Sequence, residues 1–340
     1  MTAIRKGSSH AICLPDYGVT LDRSGGDEGH TFISHAHADH LPRRGGGGPD
    51  AAIVATPPTA RLMRLRGYRG EVRELPFGEP LELERCRVTF LPAGHILGSA
   101  LTWVEGKEGS VLYTGDCRTP PSPASEGFKL PEGEVDHFIT EATFSLPIYR
   151  WPSGEELAAQ VRGFALKSLE EGATPVFLAY SLGKAQEIMH LVAPLGETVQ
   201  IHNAGHKLCG IYEEEGIDLG RYEAYDRDSC EGKILVCPSS AWNNGFASHL
   251  RNTRLAYCSG WATRDGARTQ LTADELIPLS DHLDFFELIR LCRELRPGKV
   301  WITHTPNPAV VQHYLKEEGI ASDVLRKNGK DTQAGEEDPS

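Results

Sequence analysis

The segment FISHAHADHL (Phe32–Leu41) places three histidines and one aspartate within six positions, from His35 to His40. Side chains two positions apart in an extended chain point to the same side, so His35 and His37 can reach one metal ion. Asp39 and His40 follow a tightening of the chain and could bind a second ion. Two ions roughly 3.5–4 Å apart generate hydroxide near neutral pH and stabilise an in-line displacement. The spacing therefore predicts half of a two-metal site.

Such a centre needs further ligands, including an anionic bridge. Active-site residues at the carboxyl ends of strands are typical of layered α/β folds. Each candidate taken alone is more often a core or turn residue, but the neighbouring histidine segment favours a ligand role. Short β-rich runs lead directly into the candidates His95, Asp116 and His304, and another run leads into Glu141.

The elements that must position these residues form two groups. Helices are predicted in PTARLMRLRG, in SGEELAAQVRGFALKSLEEG, with a capping box from Ser153 to Glu156, and in LDFFELIRLCRELRPG. A second strand–helix alternation lacks His/Asp endings, which indicates a small α/β domain inserted into the first. The predicted divisions are a discontinuous first domain (1–152 and 263–325), an insert (153–262) and a disordered acidic tail (326–340).

Composition narrows the function classes. The net charge of −12 over 340 residues argues against non-specific polyanion binding, although bound metal ions could supply local positive charge. No apolar run approaches the ~20 residues that a membrane span needs, so no membrane association is expected. The first residues lack the apolar stretch of a secretory signal, which makes the cytoplasm the expected location. The eight cysteines form no C-x-x-C pair and are predicted to be buried free thiols.

H-x-H-x-D-H resembles the signature of the metallo-β-lactamase superfamily. LAYSLGKAQEIMHL resembles the start of the β-CASP insert, which marks the nucleic-acid-processing branch. ITEATFS (with Glu141), LSDHLDFFELI (with His282) and VWITHTP (with His304) resemble motifs A, B and C of that branch. The compact insert, GWATRDGARTQ and SDH look most like the bacterial ligase-associated DNA exonucleases, relatives of Artemis and Apollo. The resemblance implies an α/β fold, an αββα sandwich with an inserted smaller α/β β-CASP domain.

The resemblance also implies a role for each matching residue, and two divalent ions (Zn²⁺ and/or Mn²⁺) as cofactors. The first ion would be bound by His35, His37 and His95, the second by Asp39, His40 and His304, with Asp116 bridging the two ions.

Further roles lie around these ligands. His282 would be the general acid, oriented by Glu141, and Asp39 would also belong to the catalytic residues. Asp22 would orient a metal ligand by contacting that ligand rather than the metal ion. Ser181 and Lys184 could contact a substrate phosphate at the head of a helix, although a lysine in an amphipathic helix is usually only solvated.

The leading hypothesis is a two-metal nuclease, a DNA exonuclease of DNA repair acting on single-stranded or end-containing DNA, with a DNA ligase or helicase as partner. RNA processing by the same fold remains the alternative. A histidine in motif C is commonly linked with RNA substrates, but the ligase-associated members carry it too. A non-catalytic scaffold is disfavoured because every expected ligand position is filled. Small-ester hydrolysis is disfavoured by the insert.

Overall fold

The computed structural model describes residues 3–7, 11–23, 29–42, 52–263 and 272–325. The predicted tail (326–340) and most of GWATRDGARTQ lie outside these residues. The strands are β1 (Arg5–Lys6), β2 (Ile12–Leu14), β3 (Val19–Leu21), β4 (His30–Phe32), β5 (Ala52–Ala55), β6 (Val72–Glu74), β7 (Pro80–Glu82), β8 (Cys86–Pro92), β9 (Ala100–Gly106), β10 (Gly109–Tyr113), β11 (His137–Glu141), β12 (Thr174–Leu178), β13 (Val199–Ile201), β14 (Tyr222–Ala224), β15 (Ile234–Cys237), β16 (Thr253–Cys258), β17 (Glu275–Ile277), β18 (Lys299–Thr303) and β19 (Ser322–Val324). The helices are α1 (Pro57–Leu65), α2 (Gly154–Glu170), α3 (Lys184–Val192), α4 (Asn203–Glu214), α5 (Ser239–Asn243), α6 (Phe285–Leu295) and α7 (Pro308–Glu317).

The chain divides into two compact units. The first comprises residues up to Pro120, Ser125–Pro147 and the chain from His282 onward. The second, which we call the insert unit, contains Pro121–Ala124 and Ile148–Asp281. This unit reaches Asp281 because β17 pairs in parallel with β16 and so belongs to the same sheet. The sequence-based boundaries at 153 and 262 stay predictions.

Two sheets pack face to face in the first unit. Their strand orders are β1-β2-β3-β4-β5-β6 and β19-β18-β11-β10-β9-β8-β7. Phe32 of the first sheet meets Phe90 of the second with ring centroids 5.8 Å apart, inside a core cluster that both sheets share. Strand alternation directs Phe138 and Ile139 to opposite faces of the second sheet, and Phe138 packs with the outer helices.

Helices cover the outer faces of this sandwich. Apolar residues of α6 and α7, including Leu288 and Leu315, are buried against the second sheet. Helix α1 is capped by Thr56, buries Leu62 and Met63, and contacts the first sheet at β6. Helix α6 ends before the predicted Pro-Gly stop. The predicted αββα sandwich is confirmed.

The insert unit has a parallel sheet of order β14-β13-β15-β12-β16-β17. Strands β12 and β15 are buried at every position, as expected where helices cover both faces of a parallel sheet. Helix α2 carries the predicted capping box between Ser153 and Glu156. It contacts both β12 and β17.

The cysteine prediction is confirmed, since all eight cysteines are buried and none is in a disulfide. Within the described residues, none of the helices combines the length and the apolar character that crossing a membrane requires.

Candidate metal centre

The predicted ligands of the first unit lie at or just after the carboxyl ends of strands. Strands β10, β11 and β18 are parallel neighbours, so their carboxyl ends lie at one edge of the second sheet. Asp116 follows β10, Glu141 is the last residue of β11, and His304 follows β18. His95 follows β8 of the same sheet, whereas His35 follows β4 of the facing sheet. Both sheets therefore contribute to one site.

The donor atoms of these residues converge in two overlapping groups. In each group the candidate ligand atoms lie within 4.8 Å of one another. Asp116 belongs to both groups, which is the position a bridging carboxylate requires. The two groups are His35, His37, His95 and Asp116, and His40, Asp116 and His304. We call these six residues the histidine–aspartate cluster.

The donor arrangement fits metal ions better than hydrogen bonds within the protein. The Nε2 atom of His35 is buried and, among the described residues, has no hydrogen-bond partner; it lies 3.6 Å from Asp116 Oδ2. The His37 Nδ1 and His95 Nε2 atoms face each other at 3.0 Å, and His40 Nε2 is 3.5 Å from Asp116. Buried polar atoms normally have partners. Imidazoles with a carboxylate are a donor set for Zn²⁺ and also for Mn²⁺.

Asp22 fixes the orientation of His40. Its Oδ2 accepts hydrogen bonds from His40 Nδ1, Ser34 Oγ and Tyr113 OH, each at 2.7 Å, and its Oδ1 accepts from the Ser34 backbone N–H at 2.6 Å. Because Nδ1 of His40 is bonded to Asp22, Nε2 is the nitrogen directed toward Asp116. Ser34 Oγ also lies 3.0 Å from His35 Nδ1, so one network holds two of the candidate ligands. This is the arrangement that tunes ligands around a metal.

Burial and neighbouring charges together set the pKa values within the cluster, and for His40 and Asp116 they act in opposite directions. Burial alone would lower the pKa of His40, but the Asp116 and Asp22 carboxylates outweigh it and raise that pKa well above its usual value. Burial likewise opposes ionisation of Asp116, yet the nearby His40 and His282 hold its pKa well below the usual range. Burial and the neighbouring His40 cation lower the pKa of His35. The site therefore combines an ionised carboxylate with imidazoles of very different proton affinity.

Asp39 and His304 are the more accessible members of the predicted set. The Asp39 side chain is 68% exposed and lies 3.6 Å from His40 Nε2. The His40 cation overcomes partial desolvation and lowers the pKa of Asp39. The His304 ring is 5.6 Å from that of His40, and loss of surrounding water together with the His40 charge lowers the pKa of His304 to about 4, although part of its surface is exposed.

Glu141 and His282 form a directed pair beside the cluster. The Nδ1 of His282 donates to Glu141, with distances of 2.7 and 2.9 Å to the two carboxylate oxygens. Glu141 is 1% exposed and also accepts from the Cys117 backbone N–H at 3.0 Å and from the Thr143 hydroxyl. The carboxylate fixes the ring and raises the basicity of the imidazole. Ligand atoms of Asp116, Glu141 and His282 lie within 4.8 Å of one another.

Two glycines permit the backbone to come this close. Gly115, with φ of +55°, lies where an added Cβ would be 2.5 Å from Ser34 Cβ. A Cβ on Gly94, with φ of +74°, would be 2.2 Å from the carbonyl oxygen of Arg118. Larger residues at either position would move the loops that carry Asp116 and His95.

No family model matches the chain. A protein of Opitutus terrae named "Probable DNA ligase" is 33% identical over 328 residues, which are 96% of this chain and 31% of that protein. The 5' exonuclease Apollo of Gallus gallus is 28% identical over 281 residues, 79% of this chain and 57% of its own length. RNase aCSPSF2 of Saccharolobus solfataricus is 24% identical over 226 residues, 56% of this chain and 46% of its own length. The chain spans about a third to just over half of these relatives.

The match to the Opitutus terrae protein covers nearly the whole chain. The similarities are consistent with the β-CASP branch of the metallo-β-lactamase superfamily, which the motifs resemble. Within this family assignment, the individual roles predicted for the ligands and for His282 remain hypotheses that the geometry makes specific.

The two residues expected to contact a phosphate in the β-CASP insert are Ser181 and Lys184, and Lys184 is paired rather than simply solvated. Lys184 begins α3, and its ammonium donates to Asp281 Oδ1 at 2.5 Å, with Asp281 only 1% exposed. The Ser181 carbonyl accepts from the Gln186 side chain at 3.1 Å. A phosphate would have to compete with Asp281 for Lys184, so the phosphate role of Ser181 and Lys184 stays a prediction.

Sequence reasoning did not find three residues that organise this β-CASP site. Ser34 and Tyr113 hold Asp22, and Thr143 bonds Glu141. Ser34 immediately precedes His35, and Tyr113 ends the strand before Asp116, so their positions beside ligands were a usable signal. Their shared partner Asp22, however, follows another strand and is identified only by the fold, whereas Thr143 lies two positions from Glu141.

Proposed function

We propose that this protein is a two-metal phosphodiesterase that cleaves nucleic acid, and that its principal activity is that of a DNA exonuclease. The observation that carries the proposal is the convergence of five histidine donors around a shared carboxylate, Asp116, with the Glu141–His282 pair at its side. Relatives named as an exonuclease, an RNase and a DNA ligase support nucleic acid as the substrate.

The residues divide the chemistry between them. His35, His37 and His95 would hold one ion, Asp39, His40 and His304 the other, and Asp116 both. Two bound divalent ions, Zn²⁺ or Mn²⁺, would supply the positive charge and the activated water that phosphodiester hydrolysis needs.

Proton transfer to the leaving oxygen falls to His282. Since Nδ1–H is bonded to Glu141, Nε2 is the nitrogen that can carry the transferable proton. The Glu141 carboxylate stabilises the doubly protonated ring and keeps its plane fixed. Asp22 holds His40 in the tautomer whose Nε2 faces the ligand cluster.

The names of the relatives bear on the choice between DNA and RNA as substrate. The relative named as a probable DNA ligase matches 96% of this chain, which favours DNA and a role in DNA repair beside a ligase or helicase. The name of Apollo favours attack from a 5′ end. His304, together with the RNase relative, favours RNA as the second candidate substrate. The cytoplasmic location expected from the sequence also remains a prediction.

A matched cleavage assay tests the proposal. Single-stranded DNA and RNA of one sequence, labelled at either end, are incubated with the protein and Mn²⁺ or Zn²⁺. Asp39→Ala and His282→Ala are the test variants, and Asp323→Asn, a 56% exposed carboxylate outside the cluster, is the control. Mononucleotide release from DNA, lost in both test variants, supports a DNA exonuclease. Cleavage of RNA alone supports the RNA alternative. Failure to cleave either substrate with metal bound would contradict a nuclease.

A further inference from the structure

The strand order of the insert unit indicates a crevice at the edge where its parallel strands end. Adjacent strands β12 and β16 are in register, with Leu178 opposite Tyr257. From β12 the chain runs through α3 to β13, toward one edge of the sheet. From β16 it continues to β17, toward the opposite edge. Neighbouring strands whose connections leave in opposite directions open a crevice, and open α/β sheets bind ligands there.

Two exposed aromatic side chains flank this crevice. Tyr180 lies just beyond the end of β12 and is 44% exposed. Trp261 lies just beyond the end of β16 and is 39% exposed. Aromatic residues inside the same unit, such as Phe177 and Tyr212, are fully covered. Large aromatic rings that stay in contact with water at a ligand-binding edge indicate an interaction site.

Each ring has a neighbour that helps to fix its position. Trp261 packs against Tyr149 with ring centroids 5.6 Å apart and planes at 90°, and Tyr149 is itself 1% exposed. The ammonium of Lys184 lies 5.9 Å from the centre of the Tyr180 ring. A ring that is already positioned loses little conformational entropy when a second ring stacks on it.

The ion pair between Lys184 and Asp281 links the segments that follow β12 and β17. Lys184 begins the helix that follows β12, Asp281 follows β17, and the two are bonded although β16 lies between their strands. The ammonium also acts on the thiol of Cys258, the last residue of β16, whose pKa burial raises and Lys184 partly lowers. The chain leading to Trp261 therefore leaves the sheet beside Lys184.

We propose that Tyr180 and Trp261 form a stacking platform for the unpaired bases of a single DNA strand. The inference rests on the proposed function and specifies its substrate as single-stranded. Bases rather than phosphates are the expected contact, because Asp281 neutralises Lys184 and the chain carries a net charge of −12. Stacking on aromatic rings accepts every base, since every base has a π-face.

Binding of two fluorescent oligonucleotides tests the platform. Full-length His282→Ala protein, purified with its metal, is titrated with a twelve-nucleotide oligo-dT and with an abasic strand of the same length and charge. A gel verifies that both strands stay intact. The oligo-dT is expected to bind about tenfold more tightly than the abasic strand. Adding Tyr180→Leu or Trp261→Leu should weaken oligo-dT binding about tenfold and leave abasic binding unchanged, whereas Trp261→Phe should retain most of it.

Phe286→Ala is the matched control, since Phe286 is a 47% exposed aromatic of α6 in the first unit. Equal affinity for the two strands, or oligo-dT binding unaffected by both leucine variants, would overturn the platform. Wild-type cleavage activity is measured in parallel. If the wild type still degrades DNA, only the platform fails; if it neither binds nor cleaves nucleic acid, the proposed function fails with it.

Discussion

The first unit and the insert unit both gather side chains where parallel strands end, but the side chains differ in kind. In the first unit these positions carry buried donors, with His35 at 0% and Asp116 at 7% exposure. In the insert unit they carry half-exposed rings, Tyr180 and Trp261, beside a lysine that is already paired. The same backbone geometry thus positions the residues of the proposed metal site in one unit and those of the proposed base-stacking platform in the other.

The two units also depend on different interactions. The histidine–aspartate cluster places several titratable groups together in a buried space, so its behaviour depends on protons and metal ions. The aromatic positions of the insert unit depend on apolar contact and stacking, in which no group gains or loses a proton. Variants that affect one unit and not the other are therefore the sharpest tests of this division.

The largest effect is expected from Asp116→Ala. Removing the carboxylate shared by both ligand groups should lower cleavage by more than about 10³-fold and reduce the bound metal, because neither ion keeps its bridge. Metal content by mass spectrometry and single-turnover cleavage are the measurements. Oligo-dT binding to the insert unit should persist. Full activity in this variant would break the assignment of the cluster.

His282→Ala should reduce the chemical step by about 10²- to 10⁴-fold while the metal content stays at the wild-type level. The loss follows from the proton donor being removed beside an intact cluster. Glu141→Gln should lower the rate less and shift the alkaline limb of the pH–rate profile, where a general acid loses its proton, to lower pH, because Glu141 no longer stabilises the imidazolium. A variant that loses metal instead would make His282 a ligand.

Asp22→Asn should weaken metal binding or activity by about 10- to 100-fold. The amide cannot accept from His40, Ser34 and Tyr113 as the carboxylate does. Metal titration monitored by calorimetry measures the change. Tyr113→Phe removes one of these bonds and should give a smaller loss in the same direction. An unchanged affinity in both variants would mean that His40 needs no support.

The smallest effect is a pH dependence of metal affinity. The Asp116 and Asp22 carboxylates raise the pKa of His40 in the metal-free protein and so favour its protonated ring, from which metal binding must release a proton. Affinity should therefore fall by up to about tenfold for each pH unit lowered below that pKa. Calorimetry in buffers of different ionisation enthalpy counts the protons. Oligo-dT binding by the insert unit should stay flat over the same range, and an equal pH dependence there would remove the contrast.

Much of the candidate site could be predicted because its residues lie in short local patterns. Four of the donors fall within His35–His40, and the others each follow a β-rich run. The predicted capping box at Ser153 was also a local pattern and is present. The bond from Lys184 to Asp281 could not be predicted, since it joins residues 97 positions apart.

The sequence by itself determined the family, the layered α/β architecture and the residues able to bind metal, because periodicity, capping and motif spacing are properties of neighbouring residues. Only the tertiary structure decided how Asp22 reaches His40, Ser34 and Tyr113, and which nitrogen of His282 remains for proton transfer. It also decided that Tyr180 and Trp261 follow two neighbouring parallel strands. These relations depend on strand order and register, which place residues distant in sequence within a few ångströms of each other.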